Sequence, residues 1–153
     1  MILRRGGTQD VPFLRDMLRH AYYWRADEAF EDEDPLSRYV NGWGRPGDTA
    51  LVALDGPNPV GAAWYRLFTR DHPGFGYVDD ETPELAIAVV PSRRGKGTGS
   101  TLLDALVDRA RAEGHRALSL SVEAASPAVE LYERHGFTRV GESDHSWTML
   151  LTL

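Results

Sequence analysis

The 153-residue chain contains no cysteine, which excludes disulfides, thiol nucleophiles and thiolate metal sites. No apolar run reaches the 18 or more residues of a membrane-spanning helix, so no membrane partner is expected. The N-terminal Met-Ile-Leu-Arg-Arg does not lead into the apolar stretch of a signal peptide, and none is expected. The five histidines, His20, His72, His115, His135 and His145, are scattered without ligand spacing, so no metal site is expected either. Ser/Gly-rich linkers, low-complexity tracts and repeats are lacking, which argues for one domain over residues 1–153. These absences fit a cytoplasmic enzyme.

Basic charge is in the minority, with 17 Lys and Arg against 23 Asp and Glu for a net of −6. Phosphate neutralisation needs clustered bases, so an acidic total argues against nonspecific nucleic-acid binding. The acids are concentrated. Residues 27–34 hold six and residues 79–84 hold four, with no base in either run, leaving 17 bases against 13 acids elsewhere. Such runs are either solvated loops or a lure for a cationic partner.

What is present divides into elements. Ile2–Arg5 is a short strand, and the spacing of Phe13, Leu14, Met17, Leu18, Ala21 and Tyr22 predicts a helix from Thr8 to Trp24. A second, shorter helix is expected from Asp34-Pro35, with Leu36, Tyr39, Val40 and Trp43 on its apolar face. Thr49–Leu54 and Val60–Phe68 flank Asp-Gly-Pro-Asn-Pro and read as a hairpin. Leu85–Val90 is almost continuously apolar, as in a strand buried on both faces. Gly99–Glu113 is the clearest helix, stopped by Gly114. Leu118, Leu120 and Val122 alternate with Ser119 and Ser121 in a strand, Ser126-Pro127 opens a helix closed by Gly136, and two strands end the chain. The order β-α-α-β-β-β-α-β-α-β-β implies an α/β (α+β) fold. Its central sheet is mixed and mostly antiparallel, flanked by helices, with one parallel β-α-β crossover.

The most informative stretch is Val89-Val90-Pro91-Ser92-Arg93-Arg94-Gly95-Lys96-Gly97-Thr98-Gly99-Ser100, between a buried strand and a strong helix. Three alternating glycines uncover backbone N–H groups, the following helix directs its positive end at the same place, and three bases stand beside it. This chemistry suits a pyrophosphate. A P-loop needs Lys directly after its second motif glycine, but Lys96 lies between glycines. A dinucleotide fingerprint needs G-x-G-x-x-G, whereas Gly95, Gly97 and Gly99 give G-x-G-x-G late in the chain.

Arg94-Gly95-Lys96-Gly97-Thr98-Gly99 does match the pattern Arg/Gln-x-x-Gly-x-Gly/Ala, and here the chain resembles the GCN5-related N-acetyltransferases (GNAT). Leu131-Tyr132-Glu133-Arg134-His135-Gly136-Phe137 is similar to the second signature of that family, Leu-Tyr-x-x-x-Gly-Phe. Residues 84–137 carry the match, while residues 1–83 fit the element order without a diagnostic motif.

The resemblance implies acetyl transfer from acetyl-CoA to a primary amine by direct attack in a ternary complex, with no metal. It assigns the pantetheine to backbone of Ile87, Ala88 and Val89, and the pyrophosphate to Arg94, Gly95, Lys96, Gly97, Thr98, Gly99 and Ser100. Tyr132 corresponds to the tyrosine that protonates the CoA sulfur. Glu84 resembles the acid used as general base, with Asp79, Asp80, Glu81 or a backbone-held water as alternatives. One departure is Ala125, where many members carry an asparagine near the pantetheine. Tyr22, Tyr23, Trp24, Tyr39, Trp43 and Trp64 lie among the acidic runs, and rings with carboxylates suit a cationic acceptor such as a polyamine, an aminoglycoside or a protein amine. The same rings could instead be core, which is the better reading for Tyr22 and Tyr39. Members of the family often dimerise, so a homodimer through the terminal strands is an expectation. An acyl-CoA sensor with Tyr132 idle is the competing reading.

Overall fold

A computed structural model describes residues 1–22 and 35–153. The acidic run 27–34, together with Tyr23 and Trp24, therefore lies outside the described residues. The elements are β1 (Ile2–Arg5), α1 (Val11–Tyr22), β2 (Thr49–Asp55), β3 (Asn58–Arg66), β4 (Glu84–Val89), α2 (Thr98–Ala112), β5 (Ala117–Glu123), α3 (Ala128–Arg134), β6 (Thr138–Ser143) and β7 (Ser146–Thr152). The strands form a seven-stranded sheet in the order β1-β2-β3-β4-β5-β7-β6. It is mostly antiparallel, and β4 runs parallel to β5. The chain divides into two compact units: Met1–Tyr65 with Ala86–Leu106, and Arg66–Leu85 with Val107–Leu153.

In the first unit, β1 and β2 pair from Ile2↔Leu54 to Arg5↔Leu51, and β2 continues into the hairpin with β3. Gly56, at φ +59, makes the tight reversal that the Gly-Pro-Asn-Pro punctuation predicts. A 3-10 turn over Thr8–Asp10 precedes α1, whose Leu14, Met17 and Leu18 are fully buried. The Asp10 carboxylate receives both Arg4 guanidinium nitrogens, at 2.9 and 2.7 Å, and the Gly7 N–H at 2.8 Å. That contact ties the first strand to the start of the first helix, and it holds the Asp10 carboxyl below its usual range, chiefly through the Arg4 hydrogen bonds.

The second predicted helix is instead a single 3-10 turn, Pro35–Tyr39. Gly42 follows in left-handed backbone at φ +66 and turns the chain out of helix before Trp43 can join an apolar face, and Gly44 at φ +111 keeps it out. Tyr39 and Trp64 are core residues, the indole Nε1 donating to the Tyr39 carbonyl at 3.1 Å. Buried and hydrogen-bonded in this way, neither ring is a surface for a cationic acceptor.

In the second unit, β5 pairs with β7 over seven residues, from Ala117↔Thr152 to Glu123↔Ser146. The serines that alternate with Leu118, Leu120 and Val122 in β5 are covered, Ser119 fully buried and Ser121 half-buried. The reason is the segment before β4. Gly76 lies so close to β5 that a Cβ there would stand 2.5 Å from the Leu120 carbonyl carbon. Gly114 (φ +86) and Gly136 (φ +92) end α2 and α3, as their sequence positions predict.

Candidate active site

The first unit presents the glycine loop. After β4 the chain makes a 3-10 turn over Pro91–Arg93, returns to extended backbone at Arg94 (φ −71, ψ 154), and enters α2 at Thr98. Gly95 and Gly97 adopt φ +78 and +83, and nothing lies within 4 Å of a Cβ built at either position. Conformation, not crowding by the protein, therefore calls for glycine there. Gly99 stands within the first turn of α2. That turn, Thr98-Gly99-Ser100-Thr101, contains no acid, so the positive end of the helix is not neutralised from within. The Gly97 carbonyl accepts both the Thr101 N–H and the Thr101 hydroxyl at 3.0 Å, which fixes the loop onto the helix.

The three bases beside the loop are not equivalent. Arg93 is ion-paired with Asp55 at the β2–β3 hairpin, which draws its charge away from the loop. Arg94 is exposed and donates from Nε to the Val89 carbonyl at 3.2 Å, while Lys96 is also exposed. Ile87 and Ala88 are buried and Val89 half-buried, so Ile87–Val89 and Arg94–Ser100 are brought together as one strand–loop–helix unit. His20 feels the charge of the loop's Arg94. It stands in the last turn of α1, 4.0 Å from Asp16, and its imidazole is pushed below its ordinary range by burial first, then by the charges of Arg19 and Arg94 against that of Asp16. Its position on a helix face gave no signal of that proximity.

The second unit holds Glu84 and Tyr132. Glu84 opens β4 and is 1% exposed. Its strand meets β5 at the pair Glu84↔Ser119, with the Ser119 N–H donating to the Pro83 carbonyl at 3.0 Å. Gly74 packs directly on the carboxylate, and a Cβ there would fall 2.2 Å from Glu84 Oε1. Pro73-Gly74-Phe75-Gly76 thus has a purpose legible only in three dimensions: its two glycines let the backbone lie against Glu84 and against β5. Tyr132 is buried on α3, in an edge-to-face contact with Phe137 at 5.9 Å between ring centroids. Burial pushes its phenol above the ordinary tyrosine range. Ser126 Oγ accepts the Ala128 N–H at 3.2 Å just ahead of α3, while Ala125 is exposed. Of the other candidate acids, Asp79 and Asp80 are occupied in the loop itself, and Glu81 takes part there through its N–H. Asp80 Oδ1 takes the Arg70 N–H and the Tyr77 hydroxyl, and Asp79 Oδ1 takes the Glu81 N–H. Among the described residues no group of three or more His, Asp or Glu is placed to hold a metal.

A family model described as Acetyltransferase (GNAT) family matches residues 11–137. The chain belongs to the GNAT acetyltransferases. This GNAT chain is 33% identical over 149 residues to a mycothiol acetyltransferase of Geodermatophilus obscurus, covering 94% of itself and 45% of that protein. It is 37% identical over 100 residues to an L-methionine sulfoximine/L-methionine sulfone acetyltransferase of Pseudomonas aeruginosa, covering 64% of itself and 55% of that protein. The chain thus spans about half the length of such curated relatives. A crystal structure of a ribosomal-protein-alanine N-acetyltransferase from Brucella melitensis superposes with a TM-score of 0.73 at 26% identity over the whole of both chains. A Salmonella typhimurium acetyltransferase structure containing acetyl-CoA has the same fold, with a TM-score of 0.73 at 24% identity, covering 100% of this chain and 94% of that one.

Proposed function

We propose that this chain transfers the acetyl group of acetyl-CoA to a primary amine by direct attack. The observation that carries the reading is the glycine loop, with left-handed backbone at Gly95 and Gly97 leading into an acid-free helix N-terminus directly after β4. N–H groups in this arrangement favour a pyrophosphate, so residues 94–100 hold the diphosphate of acetyl-CoA and the backbone of Ile87–Val89 its pantetheine arm. Membership of an acetyltransferase family and the acetyl-CoA bound to a protein of the same fold support this choice of cosubstrate.

The chemistry needs two proton movements. An ammonium must lose a proton before its nitrogen lone pair can form the C–N bond, and the departing thiolate gains from receiving one. Glu84 is the base in this reading, because it is buried where Asp79 and Asp80 are committed to loop hydrogen bonds. Tyr132 is the acid. A phenol whose ionisation is suppressed by burial keeps its proton through the neutral range and has one to give. The acceptor is a primary amine on a small molecule of amino-acid type. Support comes from relatives named for L-methionine sulfoximine and for L-2,4-diaminobutyric acid, the latter 32% identical over 83 residues.

The test is release of CoA from acetyl-CoA, followed with a thiol-reactive dye across amino acids, polyamines, aminoglycosides and peptides. Stimulation by one amine class, with an N-acetyl product, supports the reading. No stimulation by any amine, with acetyl-CoA still raising the melting temperature, would favour the sensor reading instead.

A further inference from the structure

Ser119 is a buried polar group that the proposed mechanism leaves unused. Its side chain is fully buried, and its Oγ has no hydrogen-bond partner among the described residues. A buried hydroxyl left in that condition is destabilising, so its presence in the middle of a strand asks for a reason. An alanine or valine would suit the apolar alternation of β5 better.

Its neighbours supply the reason. Ser119 is the β5 residue paired in parallel register with Glu84. Paired residues of adjacent strands project to the same face and lie about 4.8 Å apart along the hydrogen-bonding direction. On its other flank Ser119 pairs with Leu150, whose side chain offers no hydrogen bond. The Glu84 carboxylate is therefore the polar group that strand register sets beside the hydroxyl. Gly74, packed on that carboxylate, limits where it can move.

We propose that Ser119 is a positioning residue for the proton path at Glu84, its hydroxyl orienting, across one water, the carboxylate that takes the ammonium proton. The inference rests on the general-base reading of Glu84. The ammonium gives one proton to the Glu84 carboxylate, which becomes the carboxylic acid. The neutral amine then attacks the thioester carbon, a C–N bond forms and the C–S bond breaks. The nitrogen loses its second proton to solvent, Glu84 releases the first to solvent to return to the carboxylate, and the thiolate is protonated from Tyr132, which is reprotonated from solvent in turn. Ser119 is unchanged throughout. It holds the carboxylate oxygen where the first proton arrives.

The experiment compares Ser119→Ala, Ser119→Cys and Glu84→Gln, alone and as the Glu84→Gln/Ser119→Ala pair. Turnover is read as CoA release with the most stimulating amine, or as basal acetyl-CoA cleavage where none stimulates. Alanine removes the hydroxyl. Cysteine fills nearly the same volume but donates poorly. The expected result is a fall in kcat of about 10-fold in both Ser119 variants, with the KM for acetyl-CoA and the melting temperature little changed, which is a fraction of the effect of removing a general base. In the Glu84→Gln background, removal of the hydroxyl should change kcat by less than about 2-fold, since a positioning residue has nothing left to position. Wild-type turnover in Ser119→Cys, or an equal loss in both backgrounds, would show that Ser119 acts by packing and would overturn the inference while leaving Glu84 as base. Wild-type turnover in Glu84→Gln would remove the general-base reading, and the role of Ser119 with it.

Discussion

A phenol enclosed by apolar neighbours ionises only when the pH rises well past its ordinary value, and Tyr132 is in that position against Phe137. Because its folded-state pKa is raised, the neutral phenol is favoured in the fold, and that contribution is present below about pH 10 and lost as pH climbs through the folded value. Tyr132→Phe should keep the ring packing and lower kcat by about 10²-fold, with acetyl-CoA affinity unchanged by calorimetry. A wild-type kcat in that variant would remove the tyrosine from the chemistry. The motif Leu-Tyr-x-x-x-Gly-Phe made Tyr132 legible in the sequence. The burial that makes the tyrosine a reluctant anion was not. Ser119 is a related case: alternation along a strand says which residues share a face, but not whether that face meets water.

At the scale of elements, the two glycines of the segment before β4 separate function from stability. An added Cβ at Gly74 meets the movable end of Glu84, at 2.2 Å from Oε1, whereas one at Gly76 meets the Leu120 backbone at 2.5 Å. Gly74→Ala should displace the carboxylate and reduce kcat by about 10-fold, a small part of the effect of a general base, with little change in melting temperature. Gly76→Ala should destabilise the fold by about 1–3 kcal/mol through overpacking, measured by urea unfolding. A third substitution belongs with the loop. Gly97→Val places a β-branched residue at φ +83 and should weaken acetyl-CoA binding about 10-fold or more, as strain pulls the N–H groups out of alignment. Unchanged affinity would mean that the loop does not hold the diphosphate. Helices α1 and α2 were legible because apolar residues recur at helical spacing over several turns. The residues after Pro35 carry too few such repeats to tell a helix from a 3-10 turn, and the left-handed glycines 42 and 44 settle the matter locally.

Over the whole molecule, the sequence made the order of elements readable, apart from the 3-10 turn at Pro35–Tyr39, together with the parallel run of β4 beside β5. It did not yield how the acids of this stretch are disposed, because Asp79, Asp80, Glu81 and Glu84 are close in sequence and only the fold assigns two to loop hydrogen bonds and one to a buried strand. Global stability should carry the signature of Asp10. Its folded-state pKa is depressed, chiefly by Arg4, so its contribution is present above about pH 4, the unfolded value, and is lost as pH falls through the lower folded one. Asp10→Asn should cost about 1–2 kcal/mol at pH 7, the low end because Arg4 remains partly in solvent, and should flatten the loss of stability below pH 4. Urea midpoints from pH 3 to 7 for both proteins check this.

The central claim is direct transfer from acetyl-CoA to an amine, and initial rates with both substrates varied test it most directly. The account predicts double-reciprocal lines that converge, with CoA and N-acetyl product formed in equal amounts. Parallel lines would instead report an acetyl-enzyme intermediate, and amine-independent CoA release would deny transfer altogether. Either result would contradict the mechanism built on Glu84 and Tyr132.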